Sequence, residues 1–571
     1  MSGVCSGALF PLFVLATGAL IGAVRGGRSL WWPLTAVVAT FLAQRVLDPL
    51  LEEAGQALWR QVDESLSRRM MRAVVHPPGL APVESPTVRD RLVQARGELT
   101  DLTPGQAGYH LGRVVALVTQ GAGSLLILVT YRWWMGVALL GGYAVTFAVY
   151  GRHWRHVTLV IYGRTDRLRH AYYLRSLALE PAAAKETRVF GLADWLVEGY
   201  RRRWMTEMAG VWRTRREGWA ASAAVIAGLA VLEGAVVVNV VQSALDGHLS
   251  IGSAVVLVQA VLGAAALGQY TEGHWLLSEC SRAIERIEEV EVEAAGAADP
   301  AAGSVAADGL PVDRIRVVDL RFTYPGATEP VFNGLDLDIE AGRSLAIVGE
   351  NGAGKTTLVK LLCGLYQPDR GAITVDGTDL RGFDPSSWRR RIAAVFQDFV
   401  QFELSAYDNV AYGALRNRDD HAGVAEAAAL AGATQVVDRL SGGWSTPLSR
   451  QFSDGAQLSG GEWQRLALSR ALFAVRSGAG VLILDEPTAA LDVRGEAEVY
   501  ERFLELTRGT TTIVISHRFS TVRRADRIVV IEGGRVVEDG NHEQLLAAGG
   551  RYSTMYWLQA KRFDLGDAPR A

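Results

Sequence analysis

The stretch SLAIVGENGAGKTTLVKLL, Ser344–Leu362, sets a lysine and two threonines directly after a glycine-rich loop. The apolar run Ser344–Val348 predicts a strand and the residues from Thr356 onward predict a helix. The loop between them, Gly349-Glu350-Asn351-Gly352-Ala353-Gly354, is then a strand-to-helix turn ending in Lys355, Thr356 and Thr357. This is G-x-x-x-x-G-K-[ST] in the context that makes it a phosphate cradle. Its glycines allow backbone N–H groups to turn inward on phosphate oxygens, and the helix N-terminus adds its positive end. Lys355 reaches the outer phosphates as a compact ammonium, and the Thr356 hydroxyl is offered to Mg²⁺. Only Lys185, Lys355, Lys360 and Lys561 are lysine among the 58 basic residues; the others are arginine. A planar guanidinium is larger and forked, so lysine is kept at 355 by geometry. Lys360, on the helix, reads as a surface charge.

Two further stretches belong to the same chemistry. GVLILDEP predicts a buried strand ending in Asp485 and Glu486. Asp485 is placed to hold Mg²⁺ and Glu486 to polarise an attacking water. LSGGEWQR, Leu458–Arg465, opens a helix at Ser459, Gly460 and Gly461, which makes a second anion site from a hydroxyl and backbone N–H groups. Two phosphate sites in one small domain make sense when each nucleotide is shared between two copies.

The chain that must position these groups has 571 residues, which implies more than one domain. A net charge of −3 argues against a nucleic-acid partner, and Cys5, Cys280 and Cys363 show no pairing or metal-ligand spacing. Residues 1–290 alternate apolar runs with arginine-rich stretches. Six runs approach the roughly 20 residues that span a bilayer: 7–24, 30–50, 110–131, 134–151, 219–244 and 251–275. No Lys or Arg precedes the first, so it reads as a retained helix and not a signal peptide. Residues 152–216 carry fourteen Lys or Arg while the turn Asp246–Ser250 carries none, which puts the long loops and both termini in the cytoplasm. Those loops read as helices extended into the cytosol, turning through short crossing helices near Pro86–Leu92 and Pro181–Gly191. Arg45 and Asp48 share a helix face, where they neutralise each other. Glu233 has two readings, the lining of a substrate path or satisfaction against another helix. Residues 291–312 read as a linker and 313–571 as a nucleotide-binding domain. The fold class is a membrane bundle of six helices with long cytoplasmic extensions, joined to an α/β P-loop domain.

With these motifs in order, the chain resembles the ATP-binding cassette (ABC) family. The phosphate loop 349–356 is followed by Gln397 in AVFQDF, the signature LSGGE at 458–462, the strand ending in Asp485 and Glu486, Asp492 in ALD, and His517 in VISHR. The whole chain looks like a bacterial ABC exporter half-transporter of the type IV class. The resemblance implies ATP and Mg²⁺ as cofactors, with Gln397 joining Thr356 and Asp485 at the metal. It implies Tyr324 stacked on adenine, Asp492 in the D-loop and His517 on the γ-phosphate. Leu458, Ser459, Gly460, Gly461 and Glu462 of one chain are expected to complete the ATP site of a second chain, identical or related. The cassette is expected in the cytoplasm and the helices in the cell membrane.

The signature ends in Glu462 where Gln is more usual, and the loop before it reads FSDG, Phe452–Gly455, without the charged contact expected there. Glu486 and His517 are intact, so no degenerate ATP site is visible. The expected activity is ATP-driven export of a small amphipathic compound or peptide by alternating access. The alternatives are a lipid translocase, or an importer of a metal chelate on the exporter fold. The AVFQDF and FSDG regions look similar to half-transporters of actinobacterial peptide products.

Overall fold

In a computed structural model of the chain, the described residues are 2–77, 79–97, 103–297, 303–486, 507–516 and 518–564. They form two compact units, one of Met1–His76 with Val83–Ala294, the other of Pro77–Pro82 with Ala295–Ala571.

The first unit is helical. Its long elements are α1 (Ser2–Arg25) and α2 (Trp31–Val75), then, beyond the short α3 (Ala81–Glu84) and α4 (Pro86–Ala95), α5 (Gln106–Tyr131) and α6 (Trp133–Tyr162). After α7 (Thr165–Leu179) and α8 (Ala184–Val189) come α9 (Ala193–Glu217), α10 (Trp219–Leu245), α11 (Ile251–Ala264) and α12 (Glu272–Ala297). Six helices among the described residues are long and apolar enough to cross a membrane. Small residues let them approach closely, as membrane helices require in the absence of a hydrophobic drive between them. A Cβ on Gly7 of α1 would fall 2.3 Å from the Ala116 carbonyl oxygen of α5. Leu128, Met135, Leu139, Tyr143, Val240 and Ala260 fill the centre of the bundle.

Two expectations change here. The run 251–275 lies within one candidate span, Ile251–Gly296, but its helix is interrupted, because a 3₁₀ turn at Ala265–Gly268 and extended backbone at Gln269 separate α11 from α12. Gly268 sits against Tyr143, where a Cβ would come within 2.8 Å of the ring. Arg45 and Asp48 do not pair. Asp48 accepts from the Ser6 hydroxyl at 3.2 Å, while the Arg45 guanidinium lies over the Phe41 ring at 5.4 Å. Helix α12 runs to Ala297, in keeping with a segment that starts as a charged helix before the linker composition sets in.

The second unit holds two sheets among the described residues. An antiparallel sheet in the order β2-β1-β4-β5 uses β1 (Arg314–Phe322), β2 (Phe332–Glu340), β4 (Arg370–Val375) and β5 (Thr378–Asp379). The larger sheet, β10-β9-β3-β8-β7-β6, uses β3 (Ser344–Val348), β6 (Ile392–Val395), β7 (Val481–Asp485), β8 (Thr511–Ile515), β9 (Arg527–Glu532) and β10 (Arg535–Gly540). Five of its strands are parallel and β10 runs against β9. VLILD and TTIVI are buried at every position, the continuous apolar pattern of parallel strands covered on both faces. Pro77–Pro82 is part of this unit, and the Leu80 N–H donates to the Leu365 carbonyl at 3.0 Å.

Candidate active site

The parallel strands end together, and the chemistry gathers at their carboxyl ends, where open α/β sheets bind ligands. The loop after β3 needs glycine at two kinds of place. Gly352 and Gly354 take left-handed backbone, with φ of 85° and 95°. Gly349 runs so close to β9 that a Cβ would lie 2.3 Å from the Ile531 carbonyl oxygen. Helix α13 (Lys355–Leu362) starts directly from Gly354.

Lys355 is only 7% exposed. Its ammonium donates to the Gly349 and Glu350 carbonyls at 2.8 and 2.9 Å. Burial pulls its pKa below the ordinary lysine range, and the nearby Glu486 and Asp485 carboxylates oppose that shift. The Glu350 and Asn351 side chains are exposed, and Ala353 and Thr356 are half-buried.

Asp485 ends β7 at 1% exposure, and neither of its oxygens accepts a hydrogen bond of ordinary geometry. Burial holds its carboxyl above the ordinary range, while the neighbouring Thr356 hydroxyl pulls the other way. Next along, Glu486 adopts φ 46°, rare for a residue with a side chain, and its N–H donates to Ile515 at 2.9 Å. Strain of this kind costs on the order of 1–3 kcal/mol and persists where the surroundings fix it. Gln397, two residues past β6, donates its amide to Glu486 Oε2 at 2.9 Å. The structure therefore gathers Lys355, Thr356, Asp485, Glu486 and Gln397. Asp492 and His517 lie outside the described residues.

Tyr324 is half-buried beyond the end of β1. Its hydroxyl shares a 3.0 Å hydrogen bond with Thr357, and Phe322 and Tyr366 meet its ring edge to face. Lys360 is not a plain surface charge, because its ammonium stands 5.5 Å over the Tyr324 ring and 5.9 Å over Tyr366.

The signature forms a helix cap elsewhere on the same unit. Ser459 is the N-cap of the helix Gly460–Arg476, with extended backbone. Ser459 and Gly460 are exposed, Gly461 is half-buried, and Leu458 packs inward. The Ser459 N–H donates to Glu462 Oε2 at 2.8 Å as one arm of a capping box, and the Ser459 hydroxyl donates to the same oxygen at 2.9 Å. Arg439 binds the other Glu462 oxygen. Partial burial works against the charge, yet Ser459 and Arg439 together hold the Glu462 carboxyl below its ordinary range. No sequence spacing links Arg439 to Glu462, and it escaped the sequence reading. Glu233 is the other expected site residue. In the helical unit it accepts from the Tyr143 hydroxyl at 2.9 Å, which favours its structural reading.

Residues 332–489 match the family model described as ABC transporter. Several relatives are each named ATP-dependent lipid A-core flippase. That of Aromatoleum aromaticum is 42% identical over 247 residues, 43% of this chain and 40% of the relative. That of Bordetella avium is 40% identical over 276 residues, 48% of this chain and 44% of the relative. The matched stretch thus spans less than half the length of these relatives. A solved structure described as a bacterial Atm1-family ABC exporter with ATP bound shares the fold at a TM-score of 0.69. That likeness covers 100% of this chain and 97% of the other, at 23% identity.

Proposed function

We propose that this chain, which carries the cassette of the ABC transporter family and has the fold of an ABC exporter, is one half of an ATP-driven transporter. Its helices lie in the bacterial inner membrane and its cassette in the cytoplasm. It works as a dimer, with an identical or related partner, and exports a small amphipathic compound or peptide. The single observation that carries this reading is the presence in one chain of six candidate membrane helices and of a phosphate loop whose buried Lys355 lies near the buried Asp485 and the half-buried Glu486.

The residues suit the reaction. The phosphate-loop amides and the Lys355 ammonium hold the phosphates of ATP. Thr356, Asp485 and Gln397 are hard oxygen donors of the kind that would hold Mg²⁺, and the buried Asp485 carboxyl, which accepts no hydrogen bond of ordinary geometry among the described residues, fits that role. The metal would supply charge neutralisation at the phosphates when bound. Glu486 orients the attacking water and takes its proton, and Gln397 ties that carboxylate to the loop after β6. His517 contacts the γ-phosphate and Tyr324 takes the base. The exposed Ser459 cap of one copy closes over the nucleotide of the other, adding charge-assisted hydrogen bonds across the interface. Closure driven by ATP, and its loss on hydrolysis, shifts the membrane helices between two states through the difference in ATP affinity of those states.

ATPase activity of the purified chain in lipid, alone and with candidate peptides, tests the reading. Hydrolysis lost in Glu486→Gln with ATP binding retained supports it, and wild-type turnover in that variant defeats it. Lipid translocation is the second reading, favoured by the names of the relatives. Vesicle assays that follow lipid and peptide separately distinguish the two.

A further inference from the structure

Within the helical unit, a cavity of about 360 Å³ opens between α1, α2 and α5. Its lining is mainly polar, although the surrounding helices are those read as spanning the membrane. Gln44, Asp48 and Glu52 stand at i, i+4 and i+8, one face of α2. Arg113 and Gln120 come from one face of α5, and Ser6 from α1. Each carboxylate is held by a single neutral hydroxyl, Asp48 by Ser6 at 3.2 Å and Glu52 by Tyr109 at 2.7 Å. Among the described residues, the Arg113 guanidinium lines the same cavity and makes no ion pair with either carboxylate. Both charge signs therefore share one space without neutralising each other.

Asp48, Glu52 and Arg113 are all exposed and stand at the cytoplasmic edge of the spans read in α2 and α5, so the site is open to a ligand arriving from that side. A carboxylate with one hydroxyl donor has most of its acceptor capacity left, and an ammonium supplies three donors. A guanidinium without an ion pair presents a fork that matches a carboxylate or phosphate. Cations and anions alone each meet one group of the wrong sign. A polyanionic headgroup meets two carboxylates against one guanidinium.

We infer that this cavity binds the zwitterionic head of an amphipathic substrate, with its ammonium on Asp48 and Glu52 and its anionic group on Arg113. The inference rests on the transport reading above and names its substrate class. Gln44 and Gln120 complete the polar wall on either side. The apolar remainder of the substrate continues along the helices. The same head chemistry occurs at the two ends of a short peptide and in a phosphoethanolamine lipid.

The test uses the full chain in phosphatidylglycerol vesicles, with leucyl-phenylalanine as probe. Binding is read by thermal shift and stimulation by ATPase rate. The free dipeptide is expected to bind and stimulate. Its N-acetylated and C-amidated forms are expected to bind about tenfold more weakly each, the loss of one charged contact. Asp48→Asn with Glu52→Gln should erase the difference between the free and acetylated forms. Arg113→Gln should erase the difference between the free and amidated forms. A second arm adds phosphatidylethanolamine to the vesicles; stimulation there and not by the dipeptide identifies the lipid as the source of the head. Equal action of all three dipeptides, or no response to either probe, overturns the inference. The blocked dipeptides need only the unmodified chain, so a variant that fails to fold does not decide the matter. A chain that binds the dipeptide selectively but never hydrolyses ATP sinks the transport reading and leaves the binding site standing.

Discussion

The Gln397 side-chain amide donates to Glu486 Oε2 at 2.9 Å, linking the loop after β6 to the end of β7. Glu486 is thereby aimed by two constraints, this hydrogen bond and a backbone φ of 46°. A positioned general base contributes about 10²–10⁴-fold. Glu486→Gln is expected to lose turnover on that scale while nucleotide binding persists, as measured by phosphate release beside equilibrium ATP binding. Gln397→Ala keeps the Glu486 carboxylate and loses its tether, so a smaller loss is expected from it.

Lys355 makes a different prediction. Its ammonium sits on two loop carbonyls and is almost fully buried. Lys355→Ala should weaken ATP binding itself, by about tenfold or more for one charge-assisted contact. Lys355→Arg should not restore it, because the fork does not fit where the ammonium lies. Restored affinity in the arginine variant would disprove the geometric account of lysine at this position.

The Glu462 carboxylate in the signature carries a charge that glutamine would not, and Arg439 answers it. The Arg439 side chain is 65% exposed, so solvent screens the pair and its worth is about 1 kcal/mol or less. Arg439→Ala is expected to slow ATPase about fivefold at most, by loosening the cap at Ser459. Glu462→Gln in the same chain should recover most of that loss. A double variant no faster than Arg439→Ala alone would show that the arginine does not act through Glu462.

Within the bundle, Tyr143 is 1% exposed and donates to Glu233. Polar contacts between membrane helices contribute about 0.6 kcal/mol on average. Tyr143→Phe should lower the melting temperature in detergent slightly and leave basal ATPase intact. A Glu233→Gln variant with altered substrate selectivity and unchanged stability would favour the path reading of that residue instead.

Trp388 anchors the cassette. It is 2% exposed, stacks on Phe383 and donates its indole N–H to the Leu362 carbonyl at 2.8 Å, at the end of the phosphate-loop helix. Trp388→Ala is expected to cost about 3–5 kcal/mol. Chemical denaturation of the full chain checks this, and ATP should recover part of the loss by binding only the folded form.

Much of this molecule is readable from residues because its chemistry is local. The phosphate loop lies between strand and helix within one run of sequence, and glycine at 349, 352 and 354 is demanded by a close approach and by left-handed backbone. The buried runs VLILD and TTIVI announce parallel strands on their own. Contacts across long separations leave no such trace. Ser6 is 42 residues from Asp48, so helix spacing pointed to Arg45 as the partner and a hydroxyl on another helix took the place. Lys360 drew its role from rings of Tyr324 and Tyr366, which come from opposite sides of it in sequence. The break between α11 and α12 was hidden because a window of apolar residues carries no information about one glycine pressed on Tyr143.

Leu80 and Ala81 pack against the apolar core that also holds Phe322, Leu362 and Trp388. The second unit is therefore discontinuous in sequence, and it takes in a few residues from more than 200 positions upstream. A recombinant fragment beginning at residue 303 would lack part of its own interior, with the Leu365 carbonyl stripped of its donor. Such a fragment should be less soluble and less stable than the same module within the intact polypeptide. A synthetic peptide spanning 77–82 is the natural additive with which to rescue it.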